Sequence, residues 1–134
     1  MAWTQLYYWE KILQDDTNKN NKELTDSAIK LIVSTLQSKK CEDITVLNLN
    51  TVNAFLSWFI IASVQSTTQA KSVSRELVKT LKSERIKNYN NQNDIESGWI
   101  LLDFGDIFVH IMTPQTRNFY DLEKLWGDAK QIQI

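Results

Sequence analysis

Hydrophobic positions along the chain follow two different rhythms, and the switches between them mark the elements. Between Leu24 and Leu36 the apolar residues Leu24, Ala28, Leu31, Ile32 and Leu36 recur at roughly helical intervals. This predicts an amphipathic helix, with Thr25 or Asp26 supplying its N-cap oxygen. The segment Ile44-Thr45-Val46-Leu47-Asn48-Leu49 is β-branched and apolar and predicts a strand. A second strand, Ser57 to Ser63, is apolar almost throughout around Phe59-Ile60-Ile61. Continuous apolarity implies burial on both faces, as in a sheet covered by helices. Ala70, Val73, Leu77, Val78 and Leu81 then mark a second helix, with Ser66, Thr67 and Thr68 as caps.

The C-terminal third begins with a short strand at Ile86 to Tyr89 and an Asn-rich exit loop from Asn88 to Asp94. Trp99 to Phe104 and Ile107 to Met112 flank Gly105-Asp106, a hairpin pattern in which Gly105 can take a positive φ. A final helix opens at Thr113-Pro114, carries Phe119, Leu122, Leu125 and Trp126, and stops at Gly127. The order α-β-β-α-(β)-β-β-α predicts an α/β fold: a single small domain with a mixed β-sheet flanked by helices. Ahead of it, residues 1–22 form an N-terminal aromatic extension and polar linker. Leu6, Trp9 and Leu13 fall at helical spacing beside Trp3, Tyr7, Tyr8 and Ile12, and Asp15 to Lys22 is polar. The domain is then 23–134.

Composition narrows the function classes. The chain has 134 residues, is 43% hydrophobic and 23% charged, and carries three glycines and one proline, as ordinary globular domains do. A formal net charge of -1 provides no overall basic excess for gripping phosphate, which disfavours direct sequence-specific nucleic-acid binding. Cys41 is the single cysteine, so no intrachain disulfide can form. The longest apolar run, Trp58-Phe59-Ile60-Ile61-Ala62, has strand length and not membrane-span length. Residues 1–16 contain no arginine and three acids, Glu10, Asp15 and Asp16, unlike a secretory signal or a transit peptide. The expected location is the cytoplasm, away from membranes.

Candidate chemistry is sparse. The only histidine, His110, lies in an apolar strand, where a structural, hydrogen-bonded role is the commoner one. Cys41 has no second cysteine or nearby histidine, so zinc and thiol chemistry lack support. Gly98, Gly105 and Gly127 cannot compose a dinucleotide fingerprint or a P-loop. Asp103 and Asp106 could hold magnesium at the hairpin tip, as in nucleotidyl transfer. The stronger reading is turn chemistry, because Asp accepts bonds from nearby backbone amides. No catalytic residue, metal ligand or cofactor is therefore expected. The aromatic content says more. Trp99, Leu101 and Asp103 share one side of their strand, as do Phe108, His110 and Met112, and Phe119, Tyr120 and Trp126 follow. Some of these side chains must be exposed, and they are interface hot-spot types.

Those residues carry a resemblance. Trp99-Ile100-Leu101-Leu102-Asp103-Phe104-Gly105-Asp106-Ile107-Phe108-Val109-His110-Ile111-Met112, followed by Arg117-Asn118-Phe119-Tyr120-Asp121-Leu122-Glu123-Lys124-Leu125-Trp126, resembles the Iojap-related ribosomal silencing factors. The family pattern is approximately W-x-L-L-D-x-G-D-x-x-V-H-x-[MF], then R-x-[FY]-Y-x-L-E-x-L-W. Upstream the chain departs from it. Asn48 stands where the first strand usually has an acid, Ser57 where one precedes the second strand, Ser63-Val64-Gln65-Ser66 replaces a Gly-Thr-Ser-like loop, and Gln92-Asn93 an expected Glu-Gly pair.

The resemblance implies a nucleotidyltransferase-like topology without that activity. It also implies binding to the large ribosomal subunit through its fourteenth protein, which obstructs docking of the small subunit and represses translation. By motif position Trp99, Phe104, Met112 and Tyr120 are the implied partner contacts, while Asp103, Gly105, Asp106 and His110 serve the turn and the sheet. A homodimer is compatible with the pattern. The alternatives are a magnesium-dependent nucleotidyltransferase-like enzyme using Asp103 and Asp106, and a large-subunit assembly factor.

Overall fold

Two helices and a five-stranded sheet account for most of the buried surface, and the computed structural model shows how they meet. It describes residues 19–52, 58–90 and 97–134, with the side chains of 19–22 and 51 excepted. The expected helix around Leu6, Trp9 and Leu13, the Ser57 strand start and the Gln92-Asn93 pair lie outside the described residues. In chain order the elements are α1 (Lys19–Ser38), β1 (Glu42–Asn48), a 3-10 turn (Leu49–Thr51), β2 (Trp58–Ser63), α2 (Thr67–Ser83), β3 (Trp99–Asp103), β4 (Ile107–Met112), α3 (Pro114–Tyr120), α4 (Leu122–Leu125) and β5 (Lys130–Gln133). The sheet order is β3-β4-β2-β1-β5. β2 and β4 run parallel and the other pairs antiparallel, so the sheet is mixed as expected.

Each face of the sheet has its own core. On one face, Val46, Ile60, Ala62, Val109, Ile111, Ile100 and Leu102 meet Ile29, Ile32 and Leu36 of α1 and Val73, Leu77 and Leu81 of α2. Burying an aliphatic side chain of this size is worth about 1.5–3 kcal/mol, so this layer dominates the stability. On the other face Leu47, Leu49, Ile61, Met112 and Ala129 form a smaller core, flanked by the half-buried Phe59, Trp99, Leu122 and Trp126. The short helices α3 and α4 lie near this second face, and neither contributes a buried residue. Much of that face is therefore left to partly exposed aromatics.

Several expected boundaries change. Helix α1 is already formed at Lys19, the first described residue, well ahead of Leu24, so neither Thr25 nor Asp26 is its cap. Residues 19–23 include no proline or glycine to end a helix, and apolar spacing marks only the buried stretch. Ser66 does cap α2, its hydroxyl accepting from the Gln69 amide at 3.1 Å. Thr113 caps α3 with Pro114 in the first turn. The C-terminal helix is broken in two at Asp121, which sits at φ 47 in the left-handed region. The pattern had not revealed β5, a short edge strand paired to β1 with only Ile132 buried.

The expected strand at Ile86 to Tyr89 is not a strand. The Tyr89 amide donates to the Asp103 carbonyl at 2.8 Å. The Asn90 side chain then donates through Nδ2 to the Leu101 carbonyl (2.7 Å) and accepts from the Asp103 amide through Oδ1 (2.9 Å). One carboxamide thus supplies the donor and acceptor that a neighbouring strand would have offered, covering an otherwise open sheet edge.

Candidate functional site

The β3–β4 hairpin builds the site. Its tip is held by Asp103, whose Oδ1 accepts from the Gly105 amide at 2.8 Å, while Gly105 takes φ 91. Asp103 therefore acts in the turn, as its position suggested. The register pairs Trp99 with Met112, Leu101 with His110 and Asp103 with Phe108, so these residues share one face. Parallel pairing of β2 with β4 then sets Phe59 beside Phe108. The outcome is a continuous aromatic strip across three strands. Phe59 contacts Phe108 (centroids 5.8 Å), His110 (4.5 Å) and Trp126 (6.3 Å), and Trp99 contacts His110 (5.7 Å).

The strip continues onto α3. Trp99 and Tyr120 lie 4.8 Å apart between centroids, and Tyr120 meets Phe119 edge-on at 5.0 Å. Tyr120 is 52% exposed, Phe119 80% and Leu125 68%. Close approach of α3 to β3 depends on Gly98, where a Cβ would fall 2.6 Å from the Thr116 hydroxyl oxygen and 2.8 Å from that of Thr113.

His110 anchors Trp99 from beneath. The indole Nε1–H donates to His110 Nδ1 at 3.1 Å, which places the neutral imidazole's proton on Nε2. Nε2 is buried and finds no hydrogen-bond partner among the described residues. Burial lowers the imidazole pKa from 6.5 to about 4, so the ring is neutral at physiological pH. This fits a structural histidine better than a proton shuttle. Burial likewise pushes the Cys41 thiol up to about 11, away from reactive thiolate. Among the described residues no group of three or more His, Cys, Asp or Glu side chains is placed to hold a metal ion.

Arg117 locks α3 and α4 to the sheet. Its guanidinium donates from Nε to Glu123 Oε1 (2.8 Å), from Nη1 to Ser63 Oγ (2.9 Å) and from Nη2 to Thr45 Oγ1 (3.1 Å). Thr45 and Ser63 are buried polar positions on strands otherwise rich in apolar residues. Their hydroxyls are the sites at which an arginine could bridge two strands. The sequence shows the polar interruptions but cannot say that they face the same guanidinium.

The four implied contacts do not share one surface. Trp99 and Tyr120 meet at a tilt at the exposed end of the strip, whereas Met112 is 0% exposed beneath it and Phe104 is 6% exposed in the helix-side core. Phe59, Phe108, Phe119 and Leu125 enlarge the surface beyond those four. Alternation along β2 could have revealed Phe59, but its pairing with β4 could not be read from the pattern.

Residues 21–134 match the model of the family described as "Ribosomal silencing factor during starvation". The chain belongs to the ribosomal silencing factor family. It is 30% identical over 115 residues to "Ribosomal silencing factor RsfS" of Halalkalibacterium halodurans, covering 86% of this chain and 95% of that relative. A crystal structure of a Chromobacterium violaceum protein superposes with a TM-score of 0.70 at 30% identity, covering 75% of this chain and 84% of that one. The chain is also 31% identical over 101 residues to "Mitochondrial assembly of ribosomal large subunit protein 1" of Mus musculus, covering 73% of this chain and 44% of that relative. Within this family the chain's Asn48 has a local role: it is 2% exposed and accepts from the Asn50 amide at 3.1 Å, capping the 3-10 turn.

Proposed function

We propose that this chain docks on the large ribosomal subunit through the subunit's fourteenth protein and represses translation by keeping the small subunit from joining. The observation that carries this reading is the packed and partly exposed Trp99–Tyr120 pair with Phe119 beside it. Aromatic residues on a rigid support are the groups that anchor protein interfaces. His110 fixes the Trp99 ring and Arg117 fixes α3, so little side-chain freedom remains to be lost on docking. Met112 supports the surface from beneath, whereas Phe104 lies in the core on the opposite face of the sheet.

The proposed action is steric occupation, with no bond made or broken. A turn-bound Asp103, a neutral His110 and a protonated Cys41 suit that role. The cytoplasm is the expected place of action, given bacterial relatives named as ribosomal silencing factors. Co-sedimentation with free large subunits tests the docking, and light scattering tests subunit joining. The expected outcome is binding together with slower joining; a chain that stays in the supernatant refutes the proposal.

The mouse relative's name favours a second reading, an assembly factor that guards the same surface during large-subunit maturation. Depletion in growing cells separates the two. Accumulated precursor particles mark the assembly role, whereas excess translation under nutrient limitation marks the repressor.

A further inference from the structure

The helix-covered side of the molecule carries a feature that the aromatic strip does not explain. A hollow of about 320 Å³ between the end of α1 and the outer face of α2 is lined by Lys39, Lys71, Arg75 and Lys79, with Glu76 as its single acid. Lys71, Arg75 and Lys79 are successive i, i+4 neighbours, so three cations stack in one column on α2. Like charges at that spacing destabilise a helix, and the usual solvated face alternates them with acids. None of the four cations makes an ion pair among the described residues, where Arg117–Glu123 is the one such pair.

The hollow is held in shape. Gln69 Nε2 donates to the Lys39 carbonyl (3.0 Å) and more weakly to that of Lys40 (3.3 Å), tying the turn after α1 to the first turn of α2. Lys39 Nζ in turn donates to Ser72 Oγ at 3.1 Å, which places its ammonium beside the cationic column. Thr68, in the first turn of α2, closes the hollow at its N-terminal end. A net charge of -1 averages over the whole chain and conceals this local concentration.

We infer that this hollow binds the phosphodiester backbone of ribosomal RNA, on the side of the sheet opposite the aromatic strip. The chemistry is that of evenly spaced cations meeting a polyanion. It reads no base sequence and so needs no aromatic or amide groups in the hollow. The choice of RNA rests on the ribosomal family of the chain, since a ribosome presents phosphate backbone around its proteins.

The test uses the full chain and the triple variant Lys71→Ala/Arg75→Ala/Lys79→Ala, with Lys30→Ala/Lys87→Ala as the control for loss of exposed charge elsewhere. Alanine preserves helix propensity, and circular dichroism confirms the fold. Fluorescence anisotropy with a labelled RNA duplex, over a series of salt concentrations, reads the phosphate contact directly. The triple variant is expected to bind at least tenfold more weakly, with a slope of log affinity against log salt shallower by about 2–3, as loss of three phosphate contacts requires. The control should retain the wild-type slope. Equal affinity and slope for wild type and triple variant overturn the inference. So does a variant that loses affinity for large subunits but not for the duplex, since the hollow would then serve an acidic protein. If wild type binds the duplex with the expected slope but fails to co-sediment with large subunits, the ribosome-docking proposal and the ribosomal source of the RNA both fall, and only phosphate binding by the hollow is left.

Discussion

Replacing His110 should remove a specific part of the acid sensitivity of this fold. The imidazole is 3% exposed and its pKa falls from 6.5 to about 4 through burial. Above pH 6.5 the ring is neutral in both the folded and the unfolded chain, and no stability is lost. As pH falls from 6.5 toward 4, the unfolded chain takes up a proton that the folded chain refuses, so stability declines. Below about 4 the loss attributable to this ring is complete. At about 1.36 kcal/mol per pKa unit, the whole window amounts to about 3 kcal/mol, and a sample at about pH 4.5 has lost about 2.5 kcal/mol. Urea unfolding of wild type and His110→Gln at about pH 7.5 and 4.5 measures it. Carboxylates titrate in both proteins, so the difference between the two pH dependences isolates the imidazole. Because the chain has one histidine, its NMR resonance is unambiguous and provides a direct check. An equal acid loss in His110→Gln, or a folded-state titration near 6.5, would refute the reasoning.

Three further outcomes follow from the geometry. Tyr120→Ala should weaken large-subunit binding by about 1–3 kcal/mol, measured by co-sedimentation, while the unfolding midpoint barely moves because the side chain is 52% exposed; unchanged binding would remove Tyr120 from the interface. Arg117→Met leaves Glu123 without its cation and the Thr45 and Ser63 hydroxyls without a donor, so urea unfolding should register a loss of about 1–3 kcal/mol. A midpoint equal to wild type would show that the clamp contributes nothing. Asn90→Ala removes both bonds to the β3 edge and should lower stability by about 1–2 kcal/mol. Hydrogen exchange at the Asp103 amide should accelerate with it, and a protected amide in the variant would contradict the edge-covering role.

Local signals in the chain were strong wherever a side chain answers to its immediate neighbours. Ser66 and Thr113 stand as caps, Gly105 takes the positive φ, and Asp103 bonds the turn amide, because capping and turn geometry involve groups within a few residues. The common side of Trp99 and Leu101 along β3, and of Phe108 and His110 along β4, was equally legible, since pleating alternates side chains whatever the sheet contains; that both sets share one face came from the register. Elements that depend on distant partners were less so. β5 has one buried residue and exists as a strand through its pairing with β1. The Ile86 to Tyr89 segment has strand composition, yet the Asn90 side chain occupies the edge that it would have joined.

For the site, the order of residues from Trp99 to Trp126 was enough to indicate the family. Aromatic identity and strand alternation are properties of the sequence itself. Which of those residues a partner could reach was decided only by the tertiary structure. Trp99 and Tyr120 meet because α3 folds back over β3, whereas Met112 and Phe104, equally prominent in the motif, are buried by the layers that close on them. The Arg117 clamp and the Lys39–Lys71–Arg75–Lys79 hollow belong to the same class. The clamp joins Arg117 to Thr45 and Ser63, and the hollow brings Lys39 to a column that helical spacing already aligns; exposure and these long-range contacts are set by packing, which no local pattern encodes.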